Sequence, residues 1–97
     1  MIQNQYEIMV IVHPEADEEA VTAFNEQVGQ WASAQGGELV NTNVWGRRKL
    51  AYAIEKQTEG TYVVYDLRMP SAGVAELDRN LRLHEQVVRF LVVRQGG

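Results

Sequence analysis

From Tyr6 to Val12 the side chains alternate: Tyr6, Ile8, Val10 and Val12 fall on one side, Glu7, Met9 and Ile11 on the other. The segment is rich in strand-forming residues and stops at His13-Pro14, so it predicts a β-strand. Both sides are largely apolar, which places this strand in the middle of its sheet. From Pro14 onward the period lengthens. Ala20, Val21, Phe24, Val28 and Trp31 recur at helical spacing and predict a helix within residues 14–34. Glu15, Asp17, Glu18 and Glu19 crowd its first turns, where they offset the positive end of the helix dipole, and Gly36-Gly37 ends it.

A second strand of modest strength is expected over residues 38–44. The basic stretch 47–56 carries Leu50, Tyr52 and Ile54 in alternation and is therefore extended. Gln57-Thr58-Glu59-Gly60 reads as a turn. Residues 61–69 form a strong strand, with Val63, Tyr65, Leu67 and Met69 on one face and Tyr62, Val64, Asp66 and Arg68 on the other. Pro70-Ser71 opens a second helix with Ser71 as its N-cap and Val74, Leu77 and Leu81 as its apolar stripe. The last strand, residues 87–93, sets Val88, Phe90 and Val92 against Arg89, Leu91 and Val93. The tail Gln95-Gly96-Gly97 is expected to be loose.

The order β-α-β-β-α-β predicts an α+β, ferredoxin-like fold, a four-stranded antiparallel sheet with two helices on one face. We expect a single domain over residues 1–97. Parity assigns Glu7, Met9, Ile11, Tyr62, Val64, Asp66, Arg68, Arg89, Leu91 and Val93 to the face without helices. A mixed apolar and arginine-bearing face suits a protein or RNA partner. The bland alternative is cover by the chain's own loops or by a second copy.

Charge sharpens that expectation. The net charge is −4, which by itself argues against nucleic acid. Yet residues 1–46 contain no Lys or Arg, and all nine cations lie in residues 47–97. The switch comes at Trp45-Gly46-Arg47-Arg48-Lys49-Leu50-Ala51-Tyr52. Guanidinium groups bind phosphate through paired donors and stack on bases, and aromatic rings offer platforms for unpaired bases. Three cations in a row form a solvated turn in many proteins, but this cluster lies in an extended hairpin connection, where binding residues concentrate.

Other chemistry is thin. The chain has no cysteine, which excludes disulfides, cysteine-based zinc sites and thiol catalysis. His13 and His84 stand in no metal-ligand motif. Ser33 and Ser71 lie in no nucleophile elbow. The pattern predicts no enzyme, no cofactor and no metal. No signal-peptide pattern is present and no apolar run approaches the ~20 residues that span a bilayer, so a soluble cytoplasmic protein without a membrane partner is expected.

Several blocks together resemble a known family. They are Tyr6-Glu7 with Pro14 beyond, Gly46-Arg47-Arg48-Lys49-Leu50-Ala51-Tyr52-Ala53-Ile54, Glu59-Gly60-Thr61-Tyr62, Met69-Pro70, Leu81-Arg82, and Val88-Arg89-Phe90-Leu91-Val92-Val93. In these the chain resembles the bacterial small-subunit ribosomal protein number six family over essentially its whole length. It departs from the family pattern at Ala53, where proline is usual, and at Lys49, where arginine is usual. The resemblance implies a structural constituent of the small subunit. It implies binding to the central domain of 16S ribosomal RNA, as a heterodimer with the basic small-subunit ribosomal protein number eighteen, and no small-molecule substrate. Carried onto this chain, the expected RNA contacts are Arg47, Arg48, Lys49, Arg82, Arg89 and Arg94. Met9, Trp45, Tyr52, Tyr62 and Leu91 are the expected partner or stacking residues. Two rivals share the fold: a small phosphatase acting on acyl phosphates, with Asn41 or Asn43 orienting water, and a homodimeric regulatory module pairing through the open sheet face.

Overall fold

A computed structural model describes residues 3–54 and 56–95. The elements run β1 (Asn4–Val12), α1 (Glu18–Ala34), β2 (Glu38–Ile54), β3 (Gln57–Met69), a 3₁₀ turn (Ser71–Gly73), α2 (Val74–Leu83) and β4 (Val87–Gln95). All strand pairings are antiparallel, in the order β2-β3-β1-β4, and both helices pack on one face. This is the ferredoxin-like arrangement that the element order predicts.

The register explains why one face holds the core. Read across the sheet from β2 to β4, the helix-side rows are Leu39–Leu67–Tyr6–Arg94, Thr42–Tyr65–Ile8–Val92, Val44–Val63–Val10–Phe90 and Arg47–Thr61–Val12–Val87. Onto the middle of these rows α1 lays Val21, Phe24, Val28 and Ala32, and α2 lays Leu77 and Leu81. Ile8, Val10, Val12, Val28, Val63 and Leu81 lose all contact with solvent. Burial of such a side chain stabilises by roughly 1.5–3 kcal/mol. A polar group within this layer is satisfied: the Tyr65 hydroxyl donates to Asn25 Oδ1 at 2.5 Å. Burial pushes that hydroxyl's pKa upward, so it stays protonated.

Local chemistry sets the helix ends. Asp17, extended at φ −77 and ψ 177, accepts from the Ala20 N–H at 2.8 Å and caps α1. The helix therefore starts at Glu18, after a turn at Pro14-Glu15, rather than at Pro14. It ends at Ala34, and Gly36 just beyond the Gln35 cap takes φ +78, the left-handed turn that the sequence predicts.

Five expectations need correction. The two extended segments 38–44 and 47–54 are one 17-residue strand, joined through register shifts at Leu39/Asn41 and Val44/Gly46. Gln57-Thr58-Glu59-Gly60 is strand, not turn, and the chain reverses at Lys56, which takes φ +69. Ser71 makes no side-chain cap, because a 3₁₀ turn precedes α2 and Gly73 occupies the capping position. In β4 a register shift opposite Ile11/Val12 puts Val87, instead of Val88, against the core. Gln95 also belongs to β4, bonded to Glu7 at 3.1 Å, while Gly96 and Gly97 lie outside the described residues.

Candidate nucleic-acid interface

On the open face the same register produces a different surface. Its rows are Glu38–Arg68–Gln5–Gln95, Asn41–Asp66–Glu7–Val93, Asn43–Val64–Met9–Leu91 and Gly46–Tyr62–Ile11–Arg89, with Arg48 opposite Gly60 beyond them. Polarity is therefore sorted along the strand direction. One end carries Glu7, Asp66 and a Glu38–Arg68 ion pair of 3.3 Å; the middle is apolar; the other end carries Arg48 and Arg89. At about 3.4 Å per residue, Glu7 and Ile11 lie roughly 14 Å apart, beyond the ~8 Å screening length of physiological salt. The acids of one end thus do little to neutralise the arginines of the other.

The basic end is built around a bulge. Val44 pairs with Val63 and Gly46 with Tyr62, which leaves Trp45 as an extra residue. Gly46 takes φ +94, a conformation that glycine adopts without strain, and an added Cβ would meet nothing there. The bulge aims the Trp45 indole onto the open face. It lies nearly parallel to the Tyr62 ring, 8° between planes and 6.4 Å between centroids. The Arg48 guanidinium sits over the Trp45 ring at 5.6 Å, within cation–π range. Arg48, Trp45 and Tyr62 form a graded stack of charge and π-surface, with the indole 44% exposed.

Alternation puts Arg47 and Arg48 on opposite sides of the sheet, and the bulge upstream decides which side each takes. Arg47 falls on the helix side, where it donates to the Pro14 carbonyl and lies 3.9 Å from Glu59. Lys49 is exposed opposite Glu59. Arg89 stands on the open face and donates to the Tyr52 hydroxyl at 2.8 Å. Arg82 projects from α2, paired with Asp78 at 2.8 Å and lying 5.9 Å from the Phe90 ring, in a groove that it shares with Arg89. Arg94 is on the helix side at the far corner of the sheet, bonded to Asn4 at 3.0 Å. The six expected RNA contacts thus form no single patch: Arg48 and Arg89 share the open face, Arg82 flanks Arg89, and Arg47 and Arg94 occupy opposite corners behind the sheet.

Met9, Tyr62 and Leu91 lie on the open face as parity predicts, with Leu91 61% exposed. Tyr52 reaches it from the end of the β2–β3 hairpin. Asn41 and Asn43 are open-face edge residues beside Asp66 and Val64. His84, in the loop after α2, is half-buried against Phe24 and Trp31, with Nε2 3.3 Å from Gln27. Its spacing from those rings was invisible in the sequence; the nearest signal was its position one turn beyond Leu81. Among the described residues no group of three or more His, Asp or Glu side chains is placed to hold a metal, and no helix is long and apolar enough to cross a membrane.

Comparison with known proteins identifies the family. Residues 5–94 match the family described as Ribosomal protein S6. Small ribosomal subunit protein bS6 of Salinispora tropica is 48% identical over 94% of this chain and 95% of its own length. The bS6 protein of Desulforamulus reducens is 40% identical over 96% and 98%. The crystal structure of 30S ribosomal protein S6 from Thermotoga maritima superposes with a TM-score of 0.89 at 28% identity, over 97% of this chain and 89% of that one. The C-terminal domain of MgtC from Mycobacterium tuberculosis, at 19% identity and a TM-score of 0.63, shares the fold alone. The bS6 relatives are constituents of the ribosome rather than enzymes, which sets aside the phosphatase rival and places the protein in the cytoplasm with the ribosome. The chain belongs to the ribosomal protein S6 family of the small ribosomal subunit.

Proposed function

We propose that this protein binds the central domain of 16S ribosomal RNA through its open sheet face, together with the basic ribosomal protein number eighteen. The observation that carries the reading is the Arg48–Trp45–Tyr62 stack beside Arg89 at the basic end of that face. Stacked aromatics meet unpaired bases, and exposed guanidinium groups meet phosphate. Arg82 extends the cationic track around the β4 edge. Arg47 and Arg94, turned to the helix side, contribute less.

The family resemblance names the partner, and charge gives a physical reason for one. Affinity for RNA depends on phosphate neutralisation, and a chain of net charge −4 repels RNA at long range. A basic companion reverses the combined field, and the apolar middle of the open face, Met9 and Leu91, offers it a contact surface. Titration of labelled central-domain RNA tests the reading. The expected outcome is weak binding by this protein alone and much tighter binding with the companion. Equal affinity in both titrations would refute it.

A further inference from the structure

β1 stops pairing with β3 at Val12–Thr61, yet β2 and β3 continue past that point through Arg48–Gly60, Lys49–Glu59 and Ile54–Gln57. This is a two-stranded ribbon with no third strand beside it, and such ribbons are marginal in water unless something supports them. The support comes from an unexpected direction. The ribbon bends over the open face, so that Leu50, Ala51, Tyr52 and Ile54 stand over Met9, Ile11 and Leu91. Tyr52, from the edge of the sheet formed by β2, thereby accepts a hydrogen bond from Arg89 on the opposite edge strand.

Both strands carry a glycine at the root of this bend. Gly46 supplies the positive φ of the Trp45 bulge. Gly60 lies against Ile11 so closely that an ideal Cβ would be 2.4 Å from Ile11 Cγ2. The first makes the turn; the second lets the ribbon approach the sheet. The closure is nevertheless loose, because an open cleft of about 260 Å³ remains beneath the ribbon, and native cores leave few voids. Its latch is a hydrogen bond between side chains that are themselves exposed, with Tyr52 63% accessible.

We propose that the ribbon, residues 48–54 and 57–60, is a strap that closes over the open face in the free chain and is latched by Arg89 on Tyr52. A phosphate that takes the Arg89 guanidinium competes with the latch, so the strap lifts and exposes Met9, Ile11 and Tyr62 when the polyanion arrives. This last step rests on the reading that the open face meets RNA. The closed strap and its latch do not.

Backbone hydrogen exchange of the free chain tests the strap, in the wild type, Tyr52→Phe, Arg89→Gln and the double variant. Each single change should speed exchange of the ribbon amides about fivefold, the share of a typical exposed hydrogen bond. Ile8, Val10 and Val63 should exchange as before. The double variant should exchange no faster than either single one, because both remove the same bond. Unchanged ribbon exchange in the single variants, or effects that multiply, would overturn the latch. With companion protein and central-domain RNA, Tyr52→Phe should associate faster than wild type because Arg89 starts unengaged; equal or slower association would overturn the gating step. Absence of RNA binding in every form, wild type included, would instead count against the functional reading, since the exchange result is read without RNA.

Discussion

The two faces of the sheet share the same four strands and the same register, and they differ in nearly everything else. On the helix side, Ile8, Val10, Val12, Val63 and Tyr65 are sealed by two helices. On the open side, one residue along each strand, Leu91 and Val93 remain 61% and 44% exposed, and the cover is a loosely packed ribbon. Secondary structure cannot account for the difference, because the backbone is common to both. Period-two alternation lets one strand carry two independent surfaces, one packed against the helices and one left largely open. The open surface is sorted lengthwise, with Glu7, Asp66 and the Glu38–Arg68 ion pair at one end and Arg48 and Arg89 at the other. A chain of net negative charge thus still carries, at one end of that face, arginines with no ion-pair partner among the described residues.

The sharpest break between the faces should appear in stability. Leu77→Ala, in the sealed layer, is expected to cost about 2–5 kcal/mol in urea unfolding, whereas Leu91→Ala should stay near the ~0.5 kcal/mol typical of surface changes. Comparable losses would mean that the open face is a second core. A smaller effect is expected at the strap's root. Gly60→Ala forces a methyl group against Ile11 and should cost about 1–3 kcal/mol, as overpacking does. Gly46→Ala meets no neighbour and should cost only about 1–2 kcal/mol from its left-handed backbone. The reverse order would place the steric constraint at the bulge instead.

The third difference depends on pH. Burial holds the Tyr65 hydroxyl protonated above its ordinary value of 10.0. The stability this contributes is fully present below that pH and is lost as pH rises beyond it, because the unfolded chain releases its proton first. Denaturant midpoints followed from about pH 8 to 11 should fall at the alkaline end, and Tyr65→Phe should reduce that fall. An identical decline in the variant would assign it to other groups.

Much of the fold was legible from alternation alone. The faces of β1, β3 and most of β4 follow from parity, as do Met9, Tyr62, Arg89 and Leu91 on the open face. Parity failed wherever a bulge inserted one residue. At Trp45 it hid the continuity of β2 and which of Arg47 and Arg48, adjacent in sequence, faces the open side. At Val88 it shifted the core contact to Val87. Glu59-Gly60 carried a turn signal, but Gly60 is required by the close approach of Ile11, a long-range fact that no local pattern records. The latch between Tyr52 and Arg89, 37 residues apart, was likewise beyond local reading.

The separation of Arg47 from Arg48 provides the most direct test of the central claim. The salt dependence of central-domain RNA binding, in the presence of the companion protein, should be measured for Arg48→Ala and Arg47→Ala side by side. If the open face meets RNA, Arg48→Ala should lower the slope of log affinity against log salt by about 1, the share of one phosphate contact, and Arg47→Ala should leave it nearly unchanged. A reduced slope for Arg47→Ala with none for Arg48→Ala would contradict the account and move the RNA to the helix side of the hairpin.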